Sequence, residues 1–215
     1  MMTRCYDAVL FDLLTGLVDS WSLWNRVAGD DAAGYRWRAE YLRNTYATGR
    51  YRPYEVLVAE AAHNVGLPRQ LAGELASRYA ELEPWPEARD ALRALYDAGV
   101  PLGVVTNCSE KLGRMATERV GIPFTVIVTA ERAGYYKPQP QAYRLALEEL
   151  GLSSDRCLFV AGSAYDLFGT AKVGLATWWH NRARLALPDN APAPLASSPN
   201  LASLPGFVLG GDESG

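Results

Sequence analysis

Asp12 closes the first apolar run of the chain, AVLFD, and it is the first of four polar clusters whose side chains suit displacement chemistry. A carboxylate is a modest nucleophile in water, but desolvated and aimed at a saturated carbon it can displace a leaving group and form a covalent ester. The second cluster is Thr106-Asn107, a hydroxyl beside an amide at the end of VPLGVVTN. The third is Lys137 in YYKPQPQAY, with Tyr143 six residues on. An ammonium beside a carboxylate favours its ionised form. The fourth is Ser163 and Asp166 in FVAGSAYD. Each cluster also has a plainer explanation. Thr106 and Asn107 suit the cap of a helix starting near Ser109, and Ser163 suits another cap. Tyr143 suits core packing, and Lys137 a solvated loop. The readings part on whether the four clusters meet in space.

The elements that would bring them together can be read from the pattern. Residues 6–12 form a strand buried on both faces, as in a parallel sheet. From about Ser20 to Leu82 strand signals give way to three helical periodicities: Tyr35, Arg38, Tyr41, Leu42 and Tyr46; Tyr54, Leu57, Val58 and Ala61; Leu71, Leu75 and Tyr79. Pro84 and Pro86 in EPWPEARD mark a hinge and a helix start. Helix and strand then alternate: a helix over 87–97, a strand over 100–107, a helix from Ser109, a strand over 124–129, a helix over 140–150. A strand over 157–162, a short helix over 166–172 and a strand over 175–179 complete the series. This alternation predicts an α/β fold, a Rossmann-like doubly wound parallel sheet with a small α-helical cap inserted after the first strand. The expected division is a core of residues 1–18 and 84–215 and a cap of 19–83. The Pro-, Ala- and Ser-rich last thirty residues read as an irregular tail with one edge strand at GFVLG. In such sheets ligands bind at the carboxyl ends of the strands, where all four clusters fall.

Composition narrows the class. The 215 residues suit one core domain with an insertion, and 49% of them are hydrophobic, an ordinary share for a globular chain. A net charge of −3 with no Lys/Arg run argues against a nucleic-acid partner. Cys5, Cys108 and Cys157 cannot all pair and match no zinc spacing, which points to a reducing, cytoplasmic setting. The opening stretch is too short in apolar residues for a signal peptide, and no run suits a membrane span.

In order, FD…T, VVTNCS, YYKPQPQAY and FVAGSAYD resemble the four signature motifs of the haloacid dehalogenase superfamily, and the likeness covers most of residues 6–182. Two departures from the superfamily's phosphatases matter. Their motif D-x-D-G-T has a second Asp that protonates the leaving alcohol, and Leu14 stands there. Their fourth motif begins with a metal-holding Asp, and Gly162 stands there. Both losses resemble the L-2-haloacid dehalogenase branch, which needs no metal or other cofactor.

That resemblance implies roles. Asp12 is the nucleophile, Lys137 keeps it charged, and Asp166 with Ser163 handles the hydrolytic water. Trp37-Arg38 matches the branch's cap Trp-Arg pair, in which the Arg helps to hold the departing halide. Arg36 and Arg43 lie nearby, so a solvated helix face explains Arg38 too. Thr106 would hold the substrate carboxylate, Asn107 the leaving group, and Leu13, Trp24 and Tyr143 complete the expected substrate-binding set. The branch's D-x-Y-G-T has become Asp12-Leu13-Leu14-Thr15-Gly16, so the hydroxyl aimed at the nucleophile would come from Thr15. Its Ser-Ser-Asn has become Ala161-Gly162-Ser163. Trp21, Trp24, Tyr35 and Trp37 either build a pocket or pack the cap.

The resemblance implies a hydrolase of small 2-substituted carboxylic acids, most directly an (S)-2-haloacid dehalogenase acting through an aspartyl ester. Ring-opening of a strained 2-carboxylate such as azetidine-2-carboxylate, Mg²⁺-dependent phosphatase chemistry and a catalytically inactive binding relative are the alternatives. The expected partner is a small anionic substrate, and the expected assembly a homodimer.

Overall fold

The computed structural model describes residues 5–210, so the ends of the expected core, 1–4 and 211–215, lie outside the described residues. β1 (Ala8–Phe11) is buried along its whole length. Ala8 and Leu10 join the core on one face of the sheet, and Val9 and Phe11 the core on the other. That is why the run is apolar throughout rather than alternating. β2 (Leu102–Thr106), β3 (Val126–Thr129), β4 (Cys157–Ala161), β5 (Ala176–His180) and β6 (Ala196–Ser198) complete a six-stranded sheet of order β3-β2-β1-β4-β5-β6. Every pair is parallel, with Phe11 set between Val104 and Val160. Strand order reverses between β1 and β4, and Asp12 follows β1 into the crevice that such a reversal opens.

Between β1 and the helix α5 (Ala88–Asp97) stands a helical layer of α1 (Ser20–Ala28), α2 (Asp31–Thr48), α3 (Tyr54–Asn64), α4 (Leu71–Ser77) and a 3-10 turn at Tyr79–Glu81. Three helices were expected there and four are present. α1 spans only nine residues, too few for a long apolar period. Its signature is a cap, the Asp19 carboxylate accepting from the Ser22 N–H at 3.1 Å. Trp24, Trp37, Tyr41, Tyr54 and Tyr79 form a run of ring contacts through this layer, with centroids 4.6 to 6.3 Å apart. The chain enters and leaves the layer side by side: Val18 bridges Pro84, Asp19 N–H donates to Glu83 O at 2.8 Å and Trp85 N–H to Leu17 O at 2.9 Å. We propose this crossing as the boundary between core and cap.

The remaining helices, α6 (Glu110–Val120), α7 (Ala130–Ala133), α8 (Pro140–Leu150) and α9 (Asp166–Ala171), lie between the strands in sequence. One expectation is corrected at the C-terminal end. GFVLG belongs to a helix, α10 (Leu204–Leu209), and the edge strand is β6. Pro205 suits the first turn of a helix, Leu204 and Val208 are buried four residues apart, and Gly210 ends it at φ 70°. β6 pairs instead because β5 offers an open edge, with Trp178 opposite Ala196.

Candidate active site

The sheet sets the position of Asp12, whose N–H donates to Val160 O at 2.9 Å, while the residue as a whole is only 6% exposed. One carboxylate oxygen, Oδ1, accepts from Lys137 Nζ at 2.7 Å. The other accepts from Thr15 Oγ1 at 2.7 Å, Thr15 N–H at 3.2 Å and Gly16 N–H at 3.1 Å. Burial by itself pushes a carboxyl pKa up, but the Lys137 charge and the hydrogen bonds from Lys137 and Thr15 hold Asp12 below the usual carboxylate range. The order Thr15-Gly16 has a steric reason. A Cβ at Gly16 would stand 2.1 Å from the Asp12 carbonyl oxygen, so the turn takes glycine there and draws its hydroxyl from Thr15.

Lys137 is 4% exposed and stands 3.0 Å from Asp166 Oδ1 as well as 2.7 Å from Asp12. Desolvation alone would lower its pKa, and the two carboxylates raise it instead. Its backbone follows β3 and α7 and enters a cis bond to Pro138. Asn107 holds that backbone at both poles, with Lys137 N–H donating to its Oδ1 at 2.7 Å and its Nδ2 donating to Lys137 O at 3.1 Å. Asp166, at the start of α9, accepts from Tyr143 O–H at 2.7 Å. Burial, opposed by Lys137 and reinforced by Asp12, pushes its carboxyl up to about 6.

A cavity of about 40 Å³ opens above this trio, walled by Leu14, Thr15, Ser20, Trp24, Arg38 and Tyr46 among others. Arg38 is 6% exposed, and its guanidinium carbon lies 3.7 Å from the Trp21 ring centroid. Among the described residues it makes no ion pair and no hydrogen bond to a protein group. Burial lowers its pKa while Asp12, Tyr41 and Tyr46 oppose the shift. Arg36 is exposed and Arg43 pairs with Glu40 at 2.5 Å, so only Arg38 of the three faces the cavity.

Three expected contacts fall outside the cavity wall. Leu13 is wholly buried in the core, because the turn after β1 aims the next side chain, Leu14, at the cavity. The Thr106 side chain is buried within the sheet end and its hydroxyl accepts weakly from Cys108 Sγ at 3.8 Å. Tyr143 is buried beneath Asp166, edge-on to Phe159. Asn107 and Ser163 do reach the wall, as does Trp24. Neither Thr106 nor Asn107 caps the following helix α6, whose N-cap residue is Ser109 and which has no side-chain cap hydrogen bond.

A family model for haloacid dehalogenase-like hydrolases matches residues 6–174, the span that carries all four clusters. The chain belongs to this family. It is 30% identical over 169 residues to a haloacetate dehalogenase from Moraxella sp. (strain B), covering 74% of this chain and 75% of that one. With an (S)-2-haloacid dehalogenase from Pseudomonas putida it shares 26% over 190 residues, 83% and 84% of the two chains. The crystal structure of an L-2-haloacid dehalogenase superposes with a TM-score of 0.84 at 26% identity, over 94% of this chain and 98% of that one.

For a haloacid dehalogenase-like hydrolase the first and fourth motifs here are unsuited to a divalent ion. Mg²⁺ takes oxygen ligands, usually a carboxylate or two beside substrate. Leu14 offers none, and a Cβ at Gly162 would stand 2.6 Å from Asp12 Oδ2 and 2.3 Å from Gly16 N. With the turn as it stands, a metal-holding side chain has no room at position 162.

Four residues of this hydrolase's site went unassigned in the sequence reading. Tyr46 sits on α2 at the spacing Arg38, Leu42, Tyr46, one face of a helix. It lines the cavity together with Ser163. Burial drives the Tyr46 hydroxyl far up, so it stays protonated. Ser20 Oγ is buried in the wall with no protein partner. Trp85 Nε1–H donates to Thr15 O at 2.9 Å, and His180 Nδ1, buried and depressed by desolvation, lies 2.9 Å from Gly16 O as its donor. These last two pin the Asp12 turn from 70 and 164 residues away, beyond the reach of any local pattern.

Proposed function

We propose that the chain is a 2-haloacid dehalogenase, acting on (S)-2-haloacids as the Pseudomonas putida relative is named for. The observation that carries the reading is the buried trio in which Lys137 lies 2.7 Å from Asp12 and 3.0 Å from Asp166. It keeps one carboxylate ionised in a water-poor site and the other poised near neutrality.

Asp12 attacks Cα of the bound acid, a carbon–oxygen bond forms as the carbon–halogen bond breaks, and the halide leaves with the bonding pair. Arg38, lacking a protein anion, is the group available to the halide or the substrate carboxylate. Asp166 then takes a proton from water held near Ser163 and Tyr46, and the resulting hydroxide adds to the Asp12 ester carbonyl. The adduct collapses by breaking the acyl C–O bond to the substrate, whose alkoxide takes the proton of the new carboxyl while Asp166 returns its own to solvent. The products are a 2-hydroxy acid, a halide and a proton, with the Asp12 carboxylate restored. Asn107 serves by fixing the Lys137 backbone and Tyr143 by orienting Asp166. The reading needs only a small anionic partner. It carries with it a homodimer and a cytoplasmic location, the latter supported by Cys5, Cys108 and Cys157 all being free thiols. Among the described residues no helix is long and apolar enough to cross a membrane.

The test is halide release from racemic 2-chloropropionate with and without chelator, run beside azetidine-2-carboxylate and p-nitrophenyl phosphate. Chloride release indifferent to chelator, a transient mass increase on the Asp12 peptide and no turnover by Asp12→Asn are the expected results. Phosphate release dependent on Mg²⁺, with the halo acid untouched, would replace dehalogenation by phosphatase chemistry.

A further inference from the structure

The cavity above Asp12 is not the largest concave space near it. A groove of about 730 Å³ adjoins it, between the helical layer and the loop after β5. Both spaces share a neck, with Arg38, Leu42 and Tyr46 on one side and Thr15, Ser163 and Tyr165 on the other. Beyond the neck the walls are apolar and largely aromatic: Trp21, Tyr35, Trp85, Trp179, Leu185 and Pro188. Trp21 and Tyr35 stack with centroids 5.7 Å apart, and Trp21 in turn covers Arg38. Tyr35 and Leu185 are each 59% exposed, a large apolar exposure on two elements that face the same space.

Charge tells what part of a ligand belongs there. The cations on the groove's sides are already engaged: Arg182 lies over Trp85 at 4.3 Å and donates to Glu87 at 2.5 Å, and Arg43 pairs with Glu40. The unpaired guanidinium is Arg38, at the neck. With that charge at the neck and the other cations paired, the groove beyond the neck offers no free charge and suits an uncharged group. A concave site of several hundred Å³, lined by aromatic and aliphatic side chains, suits an apolar ligand.

We propose that this groove is a subsite for the substituent on the substrate's Cα, so that the enzyme favours 2-halo acids bearing an extended alkyl or aryl tail over the three-carbon acid. The inference rests on the haloacid reading above. Tail binding adds affinity in ground and transition states alike, so its effect falls on KM rather than kcat.

The experiment measures kcat and KM for racemic 2-chloropropionate, 2-chlorobutyrate, 2-chlorohexanoate and 2-chloro-3-phenylpropionate, with the full chain and with Leu185→Glu and Ala186→Trp. Both substituted positions are on the exposed rim of the groove, away from the catalytic trio. KM is expected to fall about threefold per added methylene, just under the roughly fourfold of complete burial. Each variant is expected to keep 2-chloropropionate turnover within about twofold of the parent and to erase most of the gain for the longer acids. A KM that rises with tail length, or a profile indifferent to both variants, would overturn the subsite while leaving the dehalogenase intact. No turnover of any halo acid would instead remove the reading beneath it. Sizing chromatography at assay concentration separates one more outcome. If Leu185→Glu changes the assembly state and not the tail profile, the groove belongs to a second copy and the proposal fails.

Discussion

Asp12 and Asp166 are both buried beside the same ammonium, yet their carboxyls move in opposite directions. Asp12 accepts four hydrogen bonds in all, including two backbone N–H groups and the Thr15 hydroxyl. Asp166 accepts from Lys137 and Tyr143 and faces the charge of Asp12. Two carboxylates pushed apart in this way divide naturally between nucleophile and base. The consequence is a pH dependence with a definite sign. In the proposed scheme Asp166 must be ionised to accept a proton from water, and esterification of Asp12 removes the negative charge that helps to hold Asp166 up at about 6 in the free enzyme. Ester hydrolysis therefore slows as pH falls below that value, while Asp12, held below the usual carboxylate range, stays ionised and still attacks. As pH is lowered from 8 toward 4, halide should appear increasingly as a burst of up to one equivalent before slow turnover. Asp166→Asn should release a single equivalent at either end of that range. Rapid-quench measurement of halide checks both, and a progress curve that stays linear down to pH 4 would take the base role from Asp166.

Among elements, the decisive piece is the turn after β1. It is held by its own N–H groups on Asp12, by Trp85 where the chain leaves the helical layer and by His180 at the end of β5. Gly162 at the end of β4 packs against it with no space for a side chain. Gly162→Asp should thus not create a metal-dependent phosphatase. It should destabilise the protein by about 1–3 kcal/mol, the usual cost of overpacking, and lower halide release by more than tenfold as the turn shifts. Thermal denaturation and turnover with and without Mg²⁺ test this, and a variant that gains Mg²⁺-dependent phosphate release would contradict it. The helix α2 works differently, by presenting Arg38, Leu42 and Tyr46 along one face. That spacing was legible in the chain. What the face looks onto was not, because it depends on how the helical layer sits over the strand ends.

The whole molecule stabilises a cluster of charges that water would otherwise hold. Lys137 is what makes two buried carboxylates tolerable, since removing one partner of a buried ion pair costs about 3–5 kcal/mol. In the parent, Asp12 has a folded pKa below its unfolded value, so its contribution is present at neutral pH and is lost only as pH falls through that depressed value. Asp166, raised to about 6, behaves the other way: its contribution is full below about 3.8 and is lost as pH rises through about 6. With Lys137→Met both carboxyls are pushed up by burial, and stability should drop sharply at pH 8 and partly recover at pH 5. Urea denaturation at the two pH values measures it. An equal loss at both would mean that the lysine acts by packing and not by charge.

The apolar strands, their alternation with helices and the four polar clusters at the strand ends were all present in the residue order, because burial on both faces of a parallel sheet and helix periodicity are local constraints on side-chain type. The helix α1 escaped because it is short, and the C-terminal strand was misplaced because an open sheet edge is a property of β5 and not of the segment that pairs with it. Tertiary structure alone decided that Leu14 and not Leu13 faces the cavity, that Asn107 and Tyr143 support the charged groups from behind, and that Trp85 and His180 hold the nucleophile's turn. Those outcomes depend on distances between segments far apart along the chain, and such distances exist only once the sheet has closed and the helices have packed upon it.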